Sequence, residues 1–284
     1  MTAPPGYVTA PNQRIDADNG VAYAYRRMGT GARRPLLMLQ HFRGNLDYWD
    51  PVLVDAFART REVITFDNVG VAGSSGRTPD TVAQMARDAI AFADALKLES
   101  VDLLGYSIGS FVAQEMALIR PSLVSRVVLA SSAPRGASSM HGWAPEIIGA
   151  VGKAEPDLAE VMQVFYTASP ESQRAGKESL GRIFRGRTYD RDVTISLQTC
   201  RAQYDAVCEW GIPDHGALQR LAPLSQPVFI AAGDSDKMIL PRYSYLLGGL
   251  IPGARVKLYP DAAHCFLFQH HEEFAADVES FLSA

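Results

Sequence analysis

The sequence predicts an α/β protein with a doubly wound, mostly parallel sheet and one helical insertion. Six short apolar runs are typical of strands that are buried on both faces of a parallel sheet. They lie at residues 36–39, 63–66, 101–104, 127–130, 228–232 and 256–259. Segments whose apolar residues recur every three or four positions separate several of these runs, as in helices that cover a sheet. Residues 134–221 contain no clear buried strand, which indicates an insertion.

Local patterns define the other elements. Residues 13–16 and 21–25 flank Asn19-Gly20, and this dipeptide predicts a hairpin because both turn residues tolerate positive φ. Helices are predicted over 81–96, 108–119 and 272–282. The pattern divides the chain into an α/β core, residues 1–133 and 222–284, and a helical cap, residues 134–221, which we expect to lie over the sheet.

Composition excludes several classes of protein. The 284 residues include 27 basic and 31 acidic side chains, a net charge of -4, so a nucleic-acid partner is not expected. With 47% hydrophobic residues the chain can bury a core, which argues against disorder. The longest apolar stretch, 101–119, contains Asp102 and Glu115, and charges at these positions argue against a membrane span.

Cysteine usage and the first residues of the chain favour a reducing compartment. Three cysteines are too few for a disulfide framework. Residues 1–16 lack the basic and then apolar pattern of a secretory signal. We therefore expect a cytoplasmic protein.

The segment 105–109, Gly-Tyr-Ser-Ile-Gly, carries the strongest chemical signal. It follows a predicted strand and opens a predicted helix, which is the context of a nucleophilic serine on a strained turn. The glycines leave room for close backbone approach. The start of the helix directs free N–H groups toward the site, where negative charge develops during acyl transfer. This context predicts Ser107 as a nucleophile.

Two later segments, each just after a predicted strand, supply a base and an acid. They are 233–236, Gly-Asp-Ser-Asp, and 261–264, Asp-Ala-Ala-His. Carboxyl ends of parallel strands meet at one edge of the sheet, so we expect these side chains near Ser107. A nucleophilic serine needs a base, and the base needs an orienting carboxylate. Asp234 and Asp236 are both candidates for that carboxylate.

The chain resembles the α/β-hydrolases, and among them the small cap-bearing esterases and lactonases. The resemblance covers nearly the whole length and rests on 105–109, 233–236, His264 and 66–70, Phe-Asp-Asn-Val-Gly. In that family the acid is usually the fourth residue of G-x-x-D, which implies Asp236 here. The catalytic residues implied by the resemblance are Ser107, Asp236 and His264.

The expected oxyanion loop departs from the family pattern. Relatives usually carry His-Gly after the corresponding strand, whereas residues 40–45 are Gln-His-Phe-Arg-Gly-Asn. Aligning Gly44 with the family's later glycine implies that Phe42 donates one backbone N–H to the oxyanion. Ile108, just after the nucleophile, would donate the other. The same alignment brings His41 near the catalytic edge, where its ring either contacts substrate or packs under the loop.

These features predict a serine hydrolase that cleaves a small-to-medium apolar carboxylic ester or lactone through an acyl-enzyme. The mechanism needs no metal or organic cofactor, and neither a zinc nor a P-loop pattern is present. The expected partner is the small-molecule substrate. Residues expected to contact it are His41, Tyr106, Trp143, Phe165 and Met238.

Three alternative functions fit the same sequence features. A carbon–carbon bond hydrolase and a cofactor-free perhydrolase would share the serine, histidine and aspartate. A small-molecule receptor with a residual hydrolase site would bind ligand with little turnover. Labelling of Ser107 by a fluorophosphonate separates the receptor from the enzymes.

Overall fold

A computed structural model describes residues 6–31, 33–153 and 157–284. The core and cap predictions for residues 1–5, 32 and 154–156 lie outside the described residues. Within these ranges the chain forms eight strands: β1 (Gln13–Asp16), β2 (Ala22–Met28), β3 (Leu36–Leu39), β4 (Val63–Phe66), β5 (Val101–Tyr106), β6 (Val124–Ala130), β7 (Val228–Gly233) and β8 (Arg255–Tyr259).

The strands form one sheet in the order β1-β2-β4-β3-β5-β6-β7-β8. β2 pairs antiparallel with β1 and β4, whereas every pair from β4 to β8 is parallel. The doubly wound, mostly parallel sheet predicted from the sequence is therefore confirmed. β5 continues two residues beyond the predicted run and ends at Tyr106, directly before Ser107.

Helices cover the sheet on both faces. In the described ranges they are α1 (Pro51–Ala58), α2 (Val82–Ala95), α3 (Ile108–Ile119), α4 (Pro145–Val151), α5 (Leu158–Phe165), α6 (Pro170–Arg185), α7 (Leu197–Trp210), α8 (His215–Gln219), α9 (Arg242–Leu250), α10 (Phe266–Gln269) and α11 (His271–Ser283). None of these helices has the length and hydropathy needed to cross a bilayer.

The alternation of side chains along the strands separates two apolar clusters. Leu37 and Leu39 of β3 belong to the cluster that includes α2 and α3. Leu36 and Met38 belong to the cluster that includes α1 and α11. Successive strand side chains point to opposite faces, so both faces of the sheet are buried. Burial on both faces explains why β3, β4 and β7 consist almost entirely of apolar residues.

The cap region contains α4 to α8 between β6 and β7. Ion pairs and aromatic contacts connect it to the core. Arg182 of α6 pairs at 2.6 Å with Asp50, the residue that caps the first turn of α1. Trp210 of α7 stacks on Phe111 of α3 with ring centroids 5.1 Å apart. The cap therefore rests on the helices and loops around the carboxyl edge of the sheet.

Candidate active site

Ser107 occupies a strained turn between β5 and α3. Its φ of 56° and ψ of -125° are unusual for a residue with a side chain, at a cost of about 1–3 kcal/mol. The flanking glycines permit the turn because a Cβ on Gly109 would lie 2.1 Å from Leu39 O, and one on Gly105 2.3 Å from Gly109 O. The motif therefore holds the serine hydroxyl at the carboxyl end of β5.

His264 lies between Ser107 and Asp236. Ser107 Oγ is 3.0 Å from His264 Nε2, and His264 Nδ1 is 2.8 Å from Asp236 Oδ2. The carboxylate accepts a hydrogen bond from Nδ1–H, which leaves Nε2 free to accept the serine proton. All three side chains are buried. The structure thus brings together the three residues that the family resemblance implied.

Asp236, and not Asp234, reaches the imidazole. Its second oxygen, Oδ1, accepts the backbone N–H groups of Met238 at 2.8 Å and Ile239 at 3.0 Å. Asp234 is exposed and accepts the backbone N–H of Ala262 at 3.3 Å, so it supports the loop that leads to the histidine. The two candidate acids therefore have separate contacts.

Tyr106 of the core and Phe165 of the cap contact His264 and the residue after it, through hydrogen bonds and through their rings. The Tyr106 hydroxyl donates to His264 O at 3.0 Å, and the two rings lie 5.2 Å apart. On the cap side, Phe165 O accepts the backbone N–H of Cys265 at 3.0 Å. The Phe165 ring lies 5.6 Å from the imidazole. Burial raises the pKa of the Cys265 thiol to about 12, which keeps it protonated and unreactive at neutral pH.

The two expected oxyanion donors lie next to this array. Ile108 is the first residue of α3 and is buried, and N–H groups in the first turn of a helix have no partner within the helix. Phe42 belongs to the loop after β3, and Gly109 packs against the end of the same strand. The donor roles of these two residues remain predictions.

His41 both packs under its loop and contributes to a cavity wall. Its ring lies 5.1 Å from the ring of Tyr106, and Nδ1–H donates to Phe42 O at 2.7 Å. Burial, together with nearby His264, lowers the pKa of His41 to about 4. The ring is therefore neutral at neutral pH and adds no charge to the site.

A cavity of about 400 Å³ lies beside the array, between the loop after β3 and the cap. Its lining is largely apolar. The lining residues are His41, Phe42, Arg43, Tyr48, Val151, Leu158, Val161, Phe165, Tyr166, Leu180, Ile183, Phe184, Thr194, Cys265 and Phe268. A cleft of about 750 Å³ between α5 and α6 shares Leu158, Leu180 and Phe184 with this cavity. The cleft and the cavity therefore lie next to each other along α5 and α6.

The predicted substrate contacts occupy different positions. His41 and Phe165 line the cavity. Tyr106 lies behind His264, and Met238 supports Asp236 through its backbone. Trp143 packs on the Phe42 ring with centroids 5.0 Å apart. The contact roles of all five residues remain predictions.

Sequence reasoning missed most of the cap residues that line the cavity. Leu180 and Ile183 are among those missed, and both lie on α6 with Phe184, one of the large apolar cap residues that the sequence does offer as candidates. Their spacing of three and four was the available signal, since it places them on one helix face. The pattern did not indicate whether that face packs against the core or lines a cavity.

A buried serine, histidine and aspartate at the carboxyl edge of an α/β sheet define a hydrolase-type site. A family model for the alpha/beta hydrolase fold matches residues 34–271. The chain belongs to this family.

Three relatives illustrate the range of the family. The chain is similar to an alpha/beta hydrolase fold protein from Chitinophaga pinensis, with 38% identity over 99% of this chain and 100% of that one, and a TM-score of 0.92. It is 29% identical, over 94% of this chain and 68% of the relative, to the dihydrolipoyllysine-residue acetyltransferase component of the acetoin cleaving system from Cupriavidus necator. It is 26% identical, over 88% and 93%, to a putative non-heme bromoperoxidase from Mycobacterium tuberculosis. The last two relatives are named for different reactions. The reaction of this chain therefore has to be inferred from the geometry of its own site.

Proposed function

We propose that this protein is a serine hydrolase that cleaves small-to-medium apolar carboxylic esters or lactones. The observation that carries the proposal is the continuous hydrogen-bonded array from Ser107 through His264 to Asp236. A largely apolar cavity of about 400 Å³ approaches this array through Cys265, the residue after His264, and Phe165, whose ring centroid lies 5.6 Å from that of the imidazole. A serine within reach of a base, and a base oriented by a carboxylate, is the arrangement required for acyl transfer.

The proposed reaction proceeds through an acyl-enzyme. Ser107 Oγ attacks the acyl carbon while His264 Nε2 takes the hydroxyl proton, and Asp236 stabilises the imidazolium that forms. The carbonyl oxygen gains negative charge and accepts hydrogen bonds from the N–H groups of Phe42 and Ile108. His264 then gives the proton to the departing alkoxide. Water, activated by the same imidazole, hydrolyses the acyl-enzyme and restores the serine.

The cavity supports an apolar substrate. Phenyl rings and aliphatic side chains form most of its lining, and the nearby His41 is neutral at neutral pH. Arg43 adds a guanidinium to the lining, and its Nη1 is hydrogen-bonded to the carbonyls of Val151 and Lys153. Ligand pockets of this kind recognise a substrate through apolar contact and a few polar groups near the reacting bond. We therefore propose an uncharged acyl chain or lactone ring as the group that enters the cavity.

A panel of p-nitrophenyl esters and simple lactones tests the proposal. The wild-type protein should hydrolyse members of the panel and react with a fluorophosphonate probe at Ser107. Ser107→Ala should abolish labelling and lower kcat by about 10⁴-fold or more, because the three groups act as a unit. Ser235→Ala is the matched control, since that serine lies on the loop after β7 and is exposed; it should label and turn over normally.

The outcomes separate the proposed function from its rivals. Binding of small esters without labelling or turnover would contradict the proposal and support a receptor. Activity confined to a dienedioic ketone substrate would indicate carbon–carbon bond cleavage instead.

A perhydrolase is the second candidate because one relative is a putative non-heme bromoperoxidase. In this reaction hydrogen peroxide replaces water in the attack on the acetyl-enzyme, which gives peracetic acid and free serine. The peracid then oxidises bromide. Bromination of monochlorodimedone in the presence of peroxide and acetate, lost in Ser107→Ala, would support this candidate. Absence of bromination alongside ester hydrolysis would exclude it.

A further inference from the structure

The side chain of Arg43 joins the loop after β3 to the cap. Arg43 directly follows Phe42, the proposed oxyanion donor. Its Nη1 donates to the carbonyl of Val151 at 2.8 Å and also to the carbonyl of Lys153. These carbonyls lie at the C-terminal end of α4, where the last carbonyls have no partners within the helix and favour a cation. The positively charged guanidinium therefore interacts favourably with the carbonyl groups at the end of α4.

The backbone of Arg43 makes a second connection to the cap. Its N–H donates at 2.8 Å to Oε1 of Gln203, a buried residue of α7. Arg43 has a φ of 62°, in the left-handed region that residues other than glycine rarely adopt. Such a conformation persists only where surrounding contacts hold it. The two connections to the cap supply those contacts.

Two further kinds of contact hold the loop: hydrogen bonds within the loop itself and a ring contact with the cap. Gln40 Nε2 donates to Asn45 O at 2.8 Å, and Gln40 Oε1 accepts the His41 N–H at 2.9 Å. The Phe42 ring packs edge to face on Trp143 of the cap. Within the described part of the chain, the Phe42 N–H donates to no protein acceptor. The contacts thus fix the neighbours of this N–H and leave the group itself available.

We propose that Arg43 and Gln203 are positioning residues that hold the Phe42 N–H in place for the oxyanion. On this account α4 and α7 of the cap contribute to the chemistry by fixing a donor that the core carries. The inference rests on the proposed function for the role of Phe42.

The proposal predicts a specific kinetic signature. The oxyanion forms only as the acyl carbon becomes tetrahedral, so a displaced donor weakens binding of the transition state and not of the bound ester. Loss of positioning should therefore lower kcat and leave KM nearly unchanged. A role in overall cap stability would instead lower the melting temperature without this separation of kcat from KM.

The experiment compares Arg43→Ala, Gln203→Leu and the double variant on a p-nitrophenyl ester that the wild-type protein hydrolyses. We expect kcat to fall by about ten- to a hundredfold in each single variant, since small misplacement of a catalytic group costs up to about 10²-fold. KM should stay within about threefold in Gln203→Leu, because the bound ester carries no oxyanion charge and Gln203 does not line the cavity, whereas Arg43 does. The inhibition constant of a trifluoromethyl ketone, which forms a tetrahedral adduct with Ser107, should rise in parallel with the loss of kcat. Arg43→Lys should restore part of the rate because its ammonium can reach one of the two carbonyls.

Arg182→Ala is the matched control. Arg182 also joins the cap to the core, but through Asp50 at the start of α1. Within the described residues its side-chain hydrogen bonds go to Asp50 and not to residues 40–45. This variant should melt at lower temperature and retain kcat within about twofold, as expected for a change outside the reacting groups. If Arg43→Ala does not fold, kcat and KM of Arg43→Lys and Gln203→Leu show whether these residues position the Phe42 N–H.

The outcomes distinguish the two levels of proposal. Wild-type protein that neither reacts with fluorophosphonate nor hydrolyses any ester would overturn the proposed function, and this inference with it. Active wild-type protein whose folded Arg43 and Gln203 variants keep kcat, or lose it no more than Arg182→Ala, would overturn this inference alone.

Discussion

The carboxyl edge of the sheet and the cap above it are held by different kinds of contact. At the edge, β5, β6, β7 and β8 are parallel neighbours joined by backbone ladders. Ser107, Asp236 and His264 follow the ends of three of these strands within five residues. The cap is joined to the core mainly by contacts of individual side chains, such as Arg182 with Asp50, together with the backbone bond from the Cys265 N–H to Phe165 O.

Because the edge and the cap are held by different contacts, we expect substitutions in the two regions to have different effects on activity. Backbone ladders fix the edge whatever the cap sequence, so the reacting side chains occupy positions that the sheet imposes. A cap held by a few side chains can change its lining without disturbing that edge. We therefore expect the largest rate effects from substitutions at the edge, and smaller ones from the cap residues that hold the loop of Phe42, such as Gln203. Substitutions elsewhere in the cap should change selectivity or pH-dependent stability.

The largest effect after loss of the nucleophile should distinguish the two aspartates at the edge. Asp236→Asn should lower kcat by about 10⁴-fold, because an amide cannot stabilise the imidazolium and favours the wrong tautomer of His264. Asp234→Asn should lower it only a few-fold, since an amide oxygen can still accept the backbone N–H of Ala262. Steady-state kinetics on one ester measures both. Equal losses in the two variants would contradict the assignment of the acid.

A smaller effect should follow from narrowing the cavity at the cap. Leu180 of α6 lines both the cavity and the outer cleft. Leu180→Trp should lower kcat/KM for octanoate esters by about tenfold or more, because each displaced methylene costs about 1–3 kcal/mol of apolar binding. Acetate esters should be nearly unaffected. Ile119→Trp, at the exposed end of α3, is the control and should leave the ratio of the two esters unchanged.

The smallest effect concerns a pair of carboxyl groups where core and cap meet. Asp67 of the core and Asp192 of the cap both accept the Leu46 N–H, at 3.0 and 3.2 Å. Burial, and then repulsion from Asp192, raises the pKa of Asp67 well above its usual range. The protonated carboxyl therefore stabilises the fold at low pH. This contribution is lost as the pH rises from about 4 through the folded-state pKa.

Asp192→Asn tests the coupling between these carboxyls. Removal of the repelling charge should raise the free energy of unfolding by about 1 kcal/mol at pH 8, and by less at pH 4, where Asp67 holds its proton. Urea denaturation at the two pH values measures the difference. The exposed Asp18→Asn serves as the control. The same change at both pH values would show that Asp192 acts on stability without involving Asp67.

Local sequence patterns predicted most of the core. Five of the predicted strands needed only small shifts at their ends, because burial on both faces demands a continuous apolar run. α10 was not predicted: its four residues, Phe266–Gln269, are too few to show a helical period. The sequence predicts that Tyr106 contacts substrate, which stays a prediction, and it did not indicate that the Tyr106 hydroxyl donates to His264 O. The alternation of side chains along a strand predicts which face of the sheet a residue lies on. It does not predict which side chains or ligands contact the residue there.

By itself, the sequence determined the fold class and the likeness of 105–109 to a nucleophile turn. Both depend on neighbours within a few residues, which periodicity and glycine spacing record directly. The family resemblance implied Asp236 over Asp234, and only the tertiary structure shows which of the two carboxylates contacts His264. It alone paired Arg43 with Gln203, 160 residues apart. A hydrogen bond depends on separations of a few tenths of an ångström, and the distance along the chain carries no information at that scale.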